Sequence, residues 1–362
     1  MRVLVVNAGS SSLKLALLDH DDTLLAERSL SAPQSLVDRG ELSAALSGWL
    51  GEADAVGHRI VHGGRRFREA VVVDVSVRRA LGELVDLAPL HQTKSLTALD
   101  AVSAALPGAT AVACFDTAFH ATLPEAASTY ALPARWRERW GVRRYGFHGL
   151  SHAWVARRVG ELTGGSERIV SAHLGAGASL CAIASGRSVD TTMGFTPLEG
   201  LVMATRVGSV DPGLLLWLQE HAGLSEAELA QVLEHESGLL GLAGSADMRE
   251  VLARSAAGDG QAELALAVYV HRLRAGIAAM AASLGGLDAL AFTGGVGEGA
   301  AAVRRLAVEG LEFLGLAVDG ERNEAVEGDG EVTGDGASAR TLVIRAREDL
   351  EIARQVRAVM EA

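Results

Sequence analysis

The chain has 362 residues, 49% of them hydrophobic and 22% charged, with a formal net charge of −12. That length exceeds what one hydrophobic core usually supports, so two domains are expected. The acidic balance argues against a general nucleic-acid surface and leaves any anionic substrate to be drawn by local cations.

In chain order, the β-branched run 3–6 predicts a strand, which meets the polar turn Asn7-Ala8-Gly9-Ser10-Ser11-Ser12 before a second strand over 13–18. Lys14 adds a positive charge just past the turn, so backbone donors, the hydroxyls of Ser10 and Ser12 and a point charge can grip phosphate. The turn leads into a strand instead of a helix, so it is not a Walker loop, and an ordinary Gly/Ser hairpin is the alternative. Run 3–6 is also too short for a signal peptide. Further strands are predicted over 55–61, 71–73 and 111–115, with helices over 77–86 and 95–105. A second series follows, with strands over 169–173, 180–184, 289–293 and 341–344 and helices over 151–162, 214–221, 262–284, 300–309 and 349–360. Strands alternating with helices indicate α/β architecture.

The strand–small turn–strand pattern at 5–11 returns at 173–179 as a faint internal repeat. Segment 319–340, rich in Gly, Asp and Glu, predicts an exposed loop or short hairpin. Cys114 and Cys181 lie in apolar strand-like runs and are expected as buried, reduced thiols. The longest stretch without a formal charge, 169–186, falls short of a bilayer span. A cytoplasmic protein with no membrane and no nucleic-acid partner is expected.

Compact polar clusters close several of these strands. They read Gly57-His58-Arg59-Ile60-Val61-His62-Gly63-Gly64, Phe115-Asp116-Thr117, Tyr145-Gly146-Phe147-His148-Gly149-Leu150-Ser151-His152 and His173-Leu174-Gly175-Ala176-Gly177. After them come Gly194-Phe195-Thr196-Pro197-Leu198-Glu199-Gly200, Thr205-Arg206-Val207-Gly208 and Thr293-Gly294-Gly295-Val296-Gly297-Glu298-Gly299. In this order the set resembles the acetate kinase family, the acetate/propionate kinases of the sugar kinase–actin superfamily, from Val3 to the final helix. Butyrate kinase shares the N-terminal loop type, but the full motif set fits the acetate kinases better. The resemblance implies two related α/β domains of the ribonuclease H-like/actin-like ATPase type flanking an active-site cleft. Residues 1–119 plus 349–362 would form one domain and 120–348 the nucleotide-binding other, in a homodimer.

The implied reaction is reversible, magnesium-dependent phosphoryl transfer between ATP and acetate, giving ADP and acetyl phosphate, with manganese as the substitute metal. The acceptor is already an anion, so no general base is required. What the site must supply is positive charge and hydrogen-bond donors around an in-line transition state. Arg59 and Arg206 suit this because a guanidinium binds oxyanions bidentately and stays charged. The resemblance places Arg59 at the carboxylate and Arg206 with His148 at the transferring phosphoryl group; for an isolated arginine a surface salt bridge is the plain alternative. It makes Asp116 the active-site carboxylate, with orientation of an arginine or a magnesium-bound water preferred over a phosphoaspartate.

Asn7 and Glu348 match the magnesium-site residues, although Ala346-Arg347 stands where the family has Thr-Asn. Val61, Leu90, Phe147 and Pro197 would ring the acyl methyl group, with plain core packing as the alternative. Lys14, His173, Leu174, Gly175, Ala176, Gly177, Asp247, Met248, Arg249, Gly295, Val296, Gly297, Glu298 and Gly299 would hold the nucleotide. Ala176 and Gly299 each replace a family Asn, which keeps a different phosphoryl donor, such as pyrophosphate, in view. A propionate kinase and a non-catalytic nucleotide sensor are the other readings. The pairs His148/His152 and His58/His62 suggest zinc, but no H-E-x-x-H pattern or third-ligand cluster accompanies them.

Overall fold

Six strands make the first sheet: β1 (Val3–Ala8), β2 (Ser12–Leu18), β3 (Leu24–Ser31), β4 (Ala55–Ile60), β5 (Val71–Val72) and β6 (Thr110–Phe115). The computed structural model describes residues 1–8, 12–31, 39–46 and 53–362. The spatial order is β3-β2-β1-β4-β6-β5. β1, β4 and β6 are mutually parallel, whereas β2, β3 and β5 join antiparallel. Val3 and Val5 pack on one face with Ile352, Ala353 and Val356 of the helix Glu348–Glu361. Leu4 and Val6 pack on the other with Leu42, Leu46, Ala98 and Val102. Cover on both faces explains why β1 reads as an unbroken apolar run.

The second sheet contains β7 (Arg168–Leu174), β8 (Ala178–Ala184), β9 (Arg187–Thr191), β10 (Ala289–Thr293), β11 (Gly330–Glu331) and β12 (Arg340–Val343), in the order β11-β12-β10-β7-β8-β9. Reading β7, β8, β9, β10, β11 and β12 for β1 to β6, the order and every pairing direction coincide with the first sheet. The repeat that the two turns hint at is therefore a repeat of whole topology. Beside this sheet runs the helix Gly260–Leu284, long and apolar enough by length and composition to cross a membrane. It buries Ala262, Ala265, Tyr269, Leu273, Ile277 and Met280 at helical spacing and packs on β7, β8 and β9, as an amphipathic core helix does.

The chain divides into two units: Met1–Ala121 with His148–Trp154 and Arg347–Ala362, and Thr122–Phe147 with Val155–Ala346. Segment His148–Trp154 belongs to the first unit, unlike the division expected from the sequence, because Gly149 bonds to Asp116 and Leu150 enters the core beneath β1. The segment 319–340, expected as an exposed loop or short hairpin, leads into a short antiparallel pair of β11 with β12 but is not all exposed loop. It carries the helix Gly320–Ala325, capped by Asp319, then β11, and it buries Asn323. Strands β3, β9 and β11 escape the sequence reading because each lacks an apolar run. Cys114 and Cys181 are buried and unbridged, as expected.

Candidate active site

Asn7 near the end of β1, Arg59 near the end of β4 and Asp116 just past β6 come together at the C-terminal ends of three parallel neighbours. Open α/β sheets gather ligands at such ends. Arg59 Nε donates to Asp116 Oδ1 at 3.0 Å and Nη2 donates to Oδ2 at 2.5 Å, a bidentate pair. Arg59 Nη1 donates to Asn7 Oδ1 at 3.1 Å. Asn7 Nδ2 in turn donates to Glu348 Oε2 at 3.2 Å, and that oxygen lies 3.9 Å from Arg59 Nε.

The Asp116 side chain is 2% exposed, and those of Arg59 and Glu348 are 16% each. Burial alone would lower the Arg59 pKa, but the Asp116 and Glu348 carboxylates and the hydrogen bonds to Asp116 hold it above the ordinary value. The cluster therefore keeps Arg59 charged at the C-terminal edge of the sheet. Asn7 also supplies an amide oxygen, which accepts from Arg59, and Glu348 a carboxylate, which accepts from the Asn7 amide nitrogen. Magnesium takes such hard donors, one or two from protein and the rest from water and phosphate, so the residues fit that metal.

Gly149 ties His148 to this cluster. Its amide donates to the Asp116 carbonyl at 2.8 Å, while the Asp116 amide donates to Ile60 O at 3.0 Å. A Cβ at position 149 would lie 2.2 Å from that Asp116 oxygen, so the approach demands glycine. His148 itself sits at φ +57°, a left-handed conformation that non-glycine residues adopt only when their surroundings enforce it. Its carbonyl accepts from His152 N at 3.0 Å and starts the helix Gly149–Thr163.

In the second unit, Arg206 is half-buried; Nη1 donates to Pro197 O at 3.3 Å and lies 3.8 Å from Met203 Sδ. Among the described residues no carboxylate pairs with it. Burial lowers its pKa, opposed by Glu234. Phe147 is 1% exposed and Pro197 is half-buried in this unit, and Val61 is buried in the first. The side chain of Leu90 lies outside the described residues, as do Ser10 and the side chain of Ser12. Lys14 is exposed on β2, opposite Asn7 in register.

A cavity of about 320 Å³ opens beside the β7–β8 turn, lined by Gly175, Ala176, Ala204, Leu239, Ala246, Asp247, Met248, Arg249, Tyr269 and Val296. It unites the nucleotide candidates Gly175, Ala176, Asp247, Met248, Arg249 and Val296. Asp247 caps the helix Met248–Ala256 by accepting from Arg249 N at 2.9 Å, and its carboxylate pairs with the Arg249 guanidinium at 2.6 Å. His173, Leu174, Gly177, Gly295, Gly297, Glu298 and Gly299 are not among the lining residues, and Leu174 is fully buried. Glu298 Oε1 accepts from Gly294 N and Ala346 N, both at 3.0 Å, so this carboxylate staples the end of β10 to the chain beyond β12. Tyr269, Ala204, Leu239 and Ala246 carry no sequence signal for a site. Tyr269 reads only as an apolar-stripe position of its helix. Among the described residues neither histidine pair belongs to a three-ligand cluster; that geometry occurs at half-buried Asp19 with exposed His20 and Asp21.

A family model described as the acetokinase family matches residues 40–354. The acetate kinase of Nostoc punctiforme is 49% identical over 308 residues, which cover 84% of this chain and 76% of that one. Among solved structures, an acetate kinase from Porphyromonas gingivalis superposes with a TM-score of 0.91 at 36% identity, covering 99% of both chains. A propionate kinase from Francisella tularensis does so with a TM-score of 0.91 at 33% identity and 98% coverage of both. With a family match over most of its length and near-complete structural correspondence, the chain belongs to the acetokinase family.

Proposed function

We propose that the chain is a phosphotransferase with a carboxyl group as acceptor, moving a phosphoryl group reversibly between ATP and acetate. The observation that carries this reading is the Arg59–Asp116–Asn7–Glu348 cluster, a fixed cation beside two metal-type oxygens. A nucleotide sensor has no use for that arrangement, since holding ADP needs no carboxylate clamp. In the forward direction an acetate oxygen attacks the γ-phosphorus. The bond to the bridging oxygen breaks, and its electron pair leaves with ADP.

Arg59 orients the acetate through N–H donors left over from Asp116 and Asn7, while Asp116 holds the guanidinium plane. Arg206, which pairs with no carboxylate among the described residues, and His148 neutralise charge growing on the transferred group. Asn7 and Glu348 hold magnesium, which when bound offsets phosphate charge. Gly175, Ala176, Asp247, Met248, Arg249 and Val296 hold the nucleoside end, with Lys14 and Ser10 and Ser12 on phosphate. By family resemblance, Val61, Leu90, Phe147 and Pro197 are the residues proposed for the acyl methyl group. Self-association as a homodimer is supported by the helix Pro212–Ala222, which buries no residue and exposes Leu214, Leu216 and Trp217. A cytoplasmic location suits an enzyme whose donor is ATP.

The test is a matrix of ATP, GTP and pyrophosphate against acetate, propionate and butyrate with Mg²⁺, trapping acyl phosphate as hydroxamate. Acetate with ATP is expected to be fastest, with propionate slower. A faster rate with pyrophosphate would move the assignment to another donor, and no acyl phosphate in any cell would leave the sensor reading.

A further inference from the structure

The segment 192–200 carries Pro197 and is held by two side chains from the chain stretch just before Phe147. Arg144 Nη2 donates to Glu199 Oε1 at 2.7 Å and Nη1 donates to Thr192 O at 3.0 Å. Tyr130 Oη donates to Glu199 Oε2 at 2.5 Å and accepts from Phe195 N at 2.9 Å. The Arg144 guanidinium lies over the Tyr130 ring, 5.5 Å from its centroid. The Tyr145 and Gly146 amides donate to Gly194 O at 3.0 and 3.3 Å. A Cβ at position 194 would stand 1.8 Å from Glu199 Oε2 and 2.1 Å from Tyr130 Oη, so glycine makes room for the carboxylate–phenol pair. Pro197 O then receives Arg206 Nη1.

We infer that Glu199 and Tyr130 are positioning residues that set acyl-group selectivity by locking the Pro197 segment against the strand of chain leading into Phe147. Neither touches the reacting atoms. Their carboxylate–phenol bond fixes where the Phe195 amide, and hence Pro197 and the carbonyl that steadies Arg206, can sit. Burial and the Glu199 bond push the Tyr130 phenol up to about 12, so it remains a neutral donor across the working range. The assignment rests on the phosphoryl-transfer reading for its substrate effect but not for its loop geometry.

The deciding experiment compares wild type, Tyr130→Phe and Glu199→Gln in the full chain. Tyr130→Phe removes one bond to each partner. It should raise the acetate KM about tenfold, the low end of the scale for losing a hydrogen bond to a charged group, and leave the ATP KM near wild type. The propionate-to-acetate ratio of kcat/KM should change in the same variant. Glu199→Gln keeps an oxygen for Tyr130 and should fall between the two, and the double variant should be no worse than the poorer single one. Amide exchange at Phe195 should accelerate about tenfold in Tyr130→Phe. An unchanged selectivity ratio in folded variants overturns the selectivity role, and unchanged Phe195 exchange overturns the lock itself. If wild type makes no acyl phosphate, the functional reading falls, and the exchange measurement still decides whether the lock exists.

Discussion

Gly149 presses its amide against the Asp116 carbonyl so closely that the pair couples the end of β6 to the start of a helix 33 residues later in the chain, and His148 is carried into its left-handed turn by that contact. Gly149→Ala has nowhere to place its methyl group except into backbone. The expected result is a loss of roughly 2–4 kcal/mol of stability and a fall in kcat much larger than in KM. Wild-type melting and turnover in this variant would show that the contact can relax.

Arg59 and Arg206 differ in what each leaves behind when removed. Arg59→Ala strands Asp116, Asn7 and Glu348 around a missing cation, which should cost about 2 kcal/mol of stability, discounted for the partial exposure of the pair. Arg206→Ala breaks no ion pair among the described residues and should melt near wild type. Both should lose at least ~100-fold in kcat/KM, the scale of a transition-state donor. Equal melting temperatures would sink the contrast, and near-normal turnover in either variant would remove that arginine from the chemistry.

Apolar runs and alternation were enough to outline β1, β2, β4, β5, β6, β7, β8, β10 and β12: a strand covered on both faces, such as β1, reads as continuously apolar, and β2 alternates. The edge strand β3 alternates without a buried face, and its burial is set by neighbours that no local pattern reports. The cluster of Asn7, Arg59, Asp116 and Glu348 was legible as separate motifs. Its geometry was not, since Glu348 reaches Asn7 across 341 residues. Tyr269 and Glu199 were hidden for opposite reasons: one sits in an ordinary core stripe, and the other looks like a solvated charge beside glycine.

His58 and His62 are 1% and 0% exposed, and burial lowers each pKa to about 4, with Asp100 opposing the shift at His58. Above pH ~6.5 both are neutral in the folded and unfolded chain alike. As pH falls from about 6.5 towards 4, the unfolded chain binds protons that the folded one refuses, so stability drops, by up to roughly 3 kcal/mol per histidine. Urea unfolding at pH 7.5, 6 and 5 should show that slope, and His58→Gln should flatten part of it. A stability that is level across this window, or the same slope in the variant, would contradict the assignment.

Arg304, 2% exposed, donates to Asn323 Oδ1 at 2.7 Å, Asn323 O at 2.5 Å, Gly297 O at 3.0 Å and Glu298 O at 2.6 Å. Arg304→Met would leave those carbonyls without their donor and should cost about 3 kcal/mol. The short helix Gly294–Gly299, which carries Val296, would loosen with it. The ATP KM should therefore rise while the acetate KM stays put. A parallel rise in both constants would mean the damage is global.

Val61→Ala is expected to raise the propionate-to-acetate ratio of kcat/KM, since one methylene of extra room changes transition-state binding by ~1–3 kcal/mol. An unaltered ratio in a folded, active variant would move the acyl pocket away from Val61.

The helix Glu348–Glu361 closes one face of the first sheet and also brings Glu348 to Asn7. During synthesis the ribosome releases β1 and β4 long before that helix exists. At ~5–20 residues per second the interval between Ile60 and Glu348 lasts some 15–60 s. Until then the face of β1 that Ile352, Ala353 and Val356 cover is incomplete, whereas the helix Gly260–Leu284 beside the second sheet has already been made. The order of birth is thus inverted, with the later half able to mature first. A chain cut short before residue 348 would lack both the helix that seals this core face and the carboxylate proposed for the metal, so such a product is expected to be inactive.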